Sequence, residues 1–206
     1  MTKMEKEIEK VYDKEYFEYL LNRGFIRKMV RKIYLRDIRS YCIGKTMDFG
    51  CGTGELLKIL PKGSTGFEVN PVATEYCKSI GLDVEPYDLD NDDYKFDGIE
   101  VKNYESFTMN HVLEHIENSQ EIIKKIFMSC NRLGIKRIVF TVPGHKNFAN
   151  DKTHMTFVDL KYFEKNGLLN DEYYKLKVSK YFPFNLAKVD HYFTHNEFRL
   201  VFDKRK

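Results

Sequence analysis

Asp48-Phe49-Gly50-Cys51-Gly52-Thr53-Gly54, with Lys45-Thr46-Met47 before it and Glu55-Leu56-Leu57-Lys58-Ile59-Leu60 after it, decides the fold. The order reads as a short buried strand, a glycine turn and the start of a helix. Glycines there let the backbone approach a ligand closely, and a helix starting at the turn presents unpaired N–H groups to an anionic group. The dinucleotide fingerprint wants glycine at its first, third and sixth positions, whereas the sixth position counted from Gly50 is Glu55. Asp48 and Glu55 bracket the turn, and unit charges a few Å apart at an intermediate dielectric repel a pyrophosphate by roughly several kcal/mol. The turn suits a ligand with positive charge beside it.

Outward from this turn, short apolar runs alternate with helix-like segments. Strands are expected near 45–49, 64–68 and 82–86, and helices from 54 and from 71. Strand four is either Asp97 to Val101 or Glu105 to Met109, and the second is preferred because it leads directly into Asn110. A helix from Ser119 to Asn131, a strand from Arg137 to Pro143, a helix from Val158 to Asn166 stopped by Gly167, and strands Lys175 to Tyr181 and Glu197 to Asp203 complete the order. Upstream, Glu5 to Leu21 and Phe25 to Ser40 read as helices, with Gly24 and Gly44 as breaks. The alternation predicts a parallel sheet with right-handed crossovers. Ligands of such sheets bind beyond the carboxyl ends of strands, where Gly50, Glu68, Asp88, Asn110 and the loop after Pro143 all fall. A carboxylate at Glu68 can accept both hydroxyls of a ribose.

From about Lys45 to its C-terminus the chain resembles the class I S-adenosylmethionine-dependent methyltransferases, and is nearest to the small-molecule branch that includes ubiquinone-type and sugar methyltransferases. Asp48 to Gly54 matches the first family motif, Glu68 the ribose acid, and Tyr87-Asp88-Leu89 the acid near the adenine amino group. Asn110-His111-Val112-Leu113-Glu114-His115-Ile116 resembles the end of strand four, Arg137 to Pro143 strand five, and His154-Met155-Thr156-Phe157 the loop that follows. The resemblance implies an α/β, Rossmann-like fold: a seven-stranded, mostly parallel sheet with helices on both faces and an antiparallel final strand. It implies S-adenosyl-L-methionine as cofactor, held by Asp48, Gly50, Cys51, Gly52, Gly54, Glu68, Asp88, Leu89 and Asn110. The implied partner is a small-molecule acceptor, methylated at oxygen, with a saccharide, a quinone-like compound or another biosynthetic intermediate as its class.

A hydroxyl acceptor has to lose its proton as it attacks, which histidine can arrange near neutral pH. His154 is the first candidate, in the polar loop Asp151-Lys152-Thr153-His154, where Asp151 could orient the ring; fastening the loop is the competing role. His111 is the second, with capping or packing as its alternative. Glu114 and His115 read as structural, and His145, His191 and His195 carry no usable motif signal. Cys51 sits between glycines without an attached base, which favours backbone accommodation over a nucleophilic role.

The 206 residues, 42% hydrophobic and 32% charged, fit one domain: a helical lid over 1–44 and a core over 45–206. No apolar run approaches a membrane span and the N-terminus lacks a secretory core, so a cytoplasmic location is expected. The four cysteines show neither paired metal spacing nor a dense disulfide pattern, and no metal is expected. The basic segment 23–39 could meet phosphate, nucleic acid or, peripherally, an anionic membrane, but a net charge of +3 favours a solvated face. The Asn/Asp-Pro-Pro-aromatic pattern of base-amine methylation is absent after strand four, as is the Pro-Cys of cytosine-C5 enzymes, which disfavours nucleic acid. RNA-ribose or protein methylation, a non-catalytic scaffold and, last, an NAD-dependent oxidoreductase are the alternatives.

Overall fold

A computed structural model describes residues 25–99, 104–183, 185 and 196–205. The helix expected over Glu5 to Leu21 lies outside them. Helix α1 (Phe25–Tyr41) leads into β1 (Thr46–Phe49), β2 (Thr65–Glu68), α2 (Pro71–Ser79), β3 (Val84–Pro86) and a short α3 (Leu89–Asp92). Then come β4 (Ser106–Asn110), α4 (Ser119–Arg132), β5 (Arg137–Pro143), α5 (His145–Asn150), α6 (Leu160–Lys165), β6 (Tyr174–Phe182) and β7 (Glu197–Lys204).

The seven strands form one sheet in the order β3-β2-β1-β4-β5-β7-β6. β1 to β5 are parallel, β7 runs antiparallel to β5, and β6 antiparallel to β7. The expected α/β, mostly parallel, Rossmann-like sheet with an antiparallel ending is therefore present. Both of its faces are buried. In β5, Ile138, Phe140 and Val142 pack into an aromatic core with Phe107, Phe127, Phe163 and Phe202, against α4 and α6. Val139 and Val201 point the other way, onto Tyr34, Leu35 and Ile38 of α1 and Cys77 of α2. This period of two is what the pleat imposes, and each large side chain removed from water contributes about 1.5–3 kcal/mol. No described helix is long and apolar enough to cross a membrane.

Strand four takes the preferred register, from Ser106 into Asn110. The helix expected from residue 54 is a correction: only a 3₁₀ turn, Leu57–Ile59, forms there. Pro61 is the reason, because it forces the residue before it out of the helical region, and Leu60 is extended at φ −71°, ψ 160°. The anion-binding helix terminus anticipated at the glycine turn is consequently not formed. The helix expected over 158–166 is trimmed to Leu160–Lys165, with Asp159 accepting from the Tyr162 N–H as its cap.

Candidate functional site

The carboxyl ends of β1, β2, β4 and β5 share one edge of the sheet, and the candidate residues collect along it. Gly50 and Gly52 take left-handed φ values of 68° and 54°. A side chain at Gly50 would meet Val112 Cγ2 at 2.6 Å, whereas one at Gly52 would point into open space. Gly50 is thus glycine for packing, and Gly52 presents bare backbone to a ligand.

Glu68 is fixed from both sides. Gly52 N–H donates to its Oε2 at 2.7 Å and Asn70 N–H to its Oε1 at 2.9 Å. Burial raises its pKa, while the backbone N–H groups of Asn70, Gly52 and Val69 oppose that rise. Asp48 stands opposite Thr108 in the β1–β4 register, and the Thr108 hydroxyl donates to its Oδ1 at 2.8 Å. Burial pushes the Asp48 carboxyl up to about 7, Glu68 adds to the push, and hydrogen bonds from Thr108 and Asn110 restrain it. Asn110 Oδ1 is buried and has no hydrogen-bond partner. Two acids reluctant to ionise and one orphaned carbonyl oxygen fit a ligand that brings N–H donors and positive charge. Glu55, the other acid flanking the turn, pairs instead with Arg31 of α1. This gives the basic helix an intramolecular partner that sequence spacing concealed.

Asp88 and Leu89 lie beyond β3. Asp88 is exposed and caps α3; the Asn91 side-chain amide and then the Asn91 N–H, at 3.1 Å, donate to it and lower its pKa, while Leu89 packs partly buried against the aromatic core. Cys51 is a free thiol whose pKa is raised by its hydrogen bond with Cys77, by burial and by Asp48 and Glu68. A protonated thiol agrees with the backbone reading of that position.

His111 follows β4 with φ 55°, an uncommon value for a side chain of its size. Its Nδ1 lies 3.2 Å from Glu114 Oε1, and its Nε2 lies 2.9 Å from Tyr34 Oη and 3.3 Å from Glu197 Oε2. Burial works against its charged form, but Glu197 and Glu114 outweigh burial and the net pKa is raised. Burial keeps Tyr34 a neutral phenol. His154 is placed differently. Its Nδ1–H donates to the Phe148 carbonyl at 3.0 Å, its ring stacks on Phe148, and Asp151 Oδ2 stands 3.8 Å from Nε2, outside hydrogen-bond range. The geometry therefore favours the loop-fastening role for His154 and brings His111, Tyr34, Glu114 and Glu197 together. Tyr34 and Glu197 went unnoticed in the sequence because α1 and β7 meet β4 only in the folded sheet.

A shallow cleft of about 350 Å³ at the opposite edge is lined by Ile43, Lys136, Arg137 and Asp203. Its Arg137 and Asp203 are committed to each other at 2.6 Å.

Residues 26–198 match the family described as "Methyltransferase domain". Comparison with curated protein sequences gives no match. Among solved structures, the chain is similar to a SAM-dependent methyltransferase from Archaeoglobus fulgidus, with 18% identity over 94% of this chain and 100% of that one, TM-score 0.62. Magnesium protoporphyrin IX methyltransferase from Synechocystis PCC 6803, solved with bound SAM, aligns at 12% identity over 100% and 99% of the two chains, TM-score 0.67. The small RNA methyltransferase HEN1 aligns at 16% identity over 87% of this chain and 25% of that one, TM-score 0.59.

Proposed function

The chain belongs to the methyltransferase-domain family, whose donor is S-adenosylmethionine, and on that premise we propose that it methylates a small molecule at oxygen. The family match sets the dinucleotide-dependent oxidoreductase aside. When bound, the donor supplies a methyl group on a sulfonium that leaves as a neutral thioether. The observation that carries the reading is Glu68, whose two oxygens are aimed by Gly52 and Asn70 beside an open glycine backbone. That carboxylate accepts the ribose hydroxyls, while Asp48 and the orphaned Asn110 oxygen receive the positively charged amino-acid end. Asp88 and Leu89 lie at the adenine side.

His111 is the proton acceptor for the attacking hydroxyl. Its Nδ1–H is held by Glu114 and its Nε2 accepts from the neutral Tyr34 hydroxyl, so that hydroxyl passes its proton to Nε2 as it takes the acceptor's, and Glu197 and Glu114 stabilise the imidazolium that results. Holding the acceptor in line behind the methyl carbon supplies the rest, up to roughly 7–11 kcal/mol for well-oriented reactants. Titration calorimetry with S-adenosylmethionine tests the cofactor site: Glu68→Ala should weaken binding by about 1.5–3 kcal/mol, the scale of hydrogen bonds to a charged group. Unchanged affinity, or binding of NADH in place of the sulfonium, overturns the assignment. An RNA acceptor is the second reading, favoured by the likeness to an RNA methyltransferase and the basic segment 23–39.

A further inference from the structure

Glu114, His115 and His154 place one ligand atom each within 4.8 Å of one another, although forty residues separate the first from the last. Glu114 is buried; its Oε1 faces His111, and its Oε2 has no hydrogen-bond partner. An unsatisfied carboxylate oxygen in the interior is costly, and a cation is the partner that removes the cost most completely. The two imidazoles are prepared for the same task. His115 Nδ1 lies 3.3 Å from the Thr153 carbonyl and 3.2 Å from the Thr153 hydroxyl, whose own proton goes to Asp151 Oδ1 at 2.7 Å, and His154 Nδ1 lies 3.0 Å from the Phe148 carbonyl. A carbonyl only accepts, so each Nδ1 carries the proton and each Nε2 keeps its lone pair. Backbone carbonyls that fix ring tautomers in this way are the usual outer partners of metal-binding histidines.

The scaffold beneath is tied down. Met155 and Thr156 N–H both donate to the Glu114 carbonyl, at 2.7 and 3.1 Å, and the Thr156 hydroxyl donates to the Ile116 carbonyl at 2.7 Å. The loop carrying His154 is thereby fastened to the turn carrying Glu114 and His115. Ligands at about 2.1 Å from one ion stand about 3.4 Å apart, so shifts of at most about 0.8 Å per side chain close the triangle.

We infer that Glu114 Oε2, His115 Nε2 and His154 Nε2 bind a divalent first-row transition metal, leaving coordination positions open for water or an acceptor oxygen. The nitrogen-rich set with one carboxylate suits Mn²⁺, Fe²⁺, Co²⁺ or Zn²⁺ over Mg²⁺ or Ca²⁺. Binding of the ion does not depend on the methyl-transfer reading.

The test uses the full chain, free of purification tags and of S-adenosylmethionine. Mn²⁺, which avoids the four free cysteines, is titrated and followed by loss of the free-ion electron paramagnetic resonance signal, and Co²⁺ by its visible absorption. One ion per chain is expected, with affinity falling at least tenfold in His115→Ala and in His154→Ala, and unchanged in His145→Ala. Glu114→Gln, which keeps volume and removes charge, decides the matter should either alanine variant fail to fold. Absence of saturable binding by the wild type, or equal binding in folded variants, overturns the inference. Failure of donor binding in the separate calorimetric test leaves this site untouched.

Discussion

Replacing Asp48 by asparagine separates the needs of the cofactor from those of the empty fold. In the unfolded chain Asp48 titrates at its ordinary 3.8, whereas in the native state burial holds it at about 7. Between those values the native protein keeps a proton that the unfolded chain has released, so its stability contribution is complete below about 3.8. It is lost as pH rises through about 7. The interval corresponds to about 4 kcal/mol, at 1.36 kcal/mol for each tenfold change in acidity. The amide of Asp48→Asn cannot ionise, and it still accepts from the Thr108 hydroxyl that reaches Asp48 Oδ1. Allowing about 1–2 kcal/mol for weaker hydrogen bonds, the variant should exceed the wild type by about 2–3 kcal/mol at pH 8 and fall slightly below it at pH 4. Urea denaturation without ligand at several pH values measures this, and Glu68, present in both proteins, enters the difference only through its repulsion of the ionised Asp48. Binding of S-adenosylmethionine should move oppositely: a positive ligand recovers the ionised Asp48, so wild-type affinity rises from pH 6 to pH 8 and the Asp48→Asn protein lacks that rise. Parallel stability curves for the two proteins would refute the buried-acid argument.

His111→Ala should lower turnover by about a hundredfold or more with donor affinity unchanged, and should abolish the rise of rate with pH through the histidine's raised pKa. If His154→Ala removes that limb and His111→Ala does not, the proton goes to His154. Arg199, fully buried, pairs with Asp37 and lies under the rings of Tyr34, Tyr41 and Phe182. Arg199→Ala should cost about 3 kcal/mol in urea denaturation, the lower end for a broken buried pair, since Asp37 keeps some contact with water. A loss below about 1 kcal/mol would mean the pair is not structural.

The sheet was legible because its signals are local. β1, β2 and β5 are short apolar runs punctuated by glycine or proline, and the β6–β7 ends fell within about one residue of expectation. The helix after Gly54 is the exception, because the apolar run signals a helix that the proline seven residues after Gly54 cuts short. Asp88 was read for its motif, and its second employment as the cap of α3 was invisible because that helix is only four residues long. Around His154 the difficulty was one of distance: Glu114 comes near it only once the loop has closed on the turn after β4. His115 and Glu114 carry no local sign of a ligand, because the unpartnered oxygen of Glu114 is a property of the folded interior.

The sheet order has a temporal side. β7, the last described strand in sequence, sits between β5 and β6, and its Arg199 clasps Asp37 of α1. While a ribosome is still making residues 196–204, β5 has an open flank, β6 has nothing to lie beside, and the wall that brings Glu197 to His111 does not exist. A nascent chain stalled before that point should lack the finished proton acceptor, so chemistry waits on the same strand that completes the sheet.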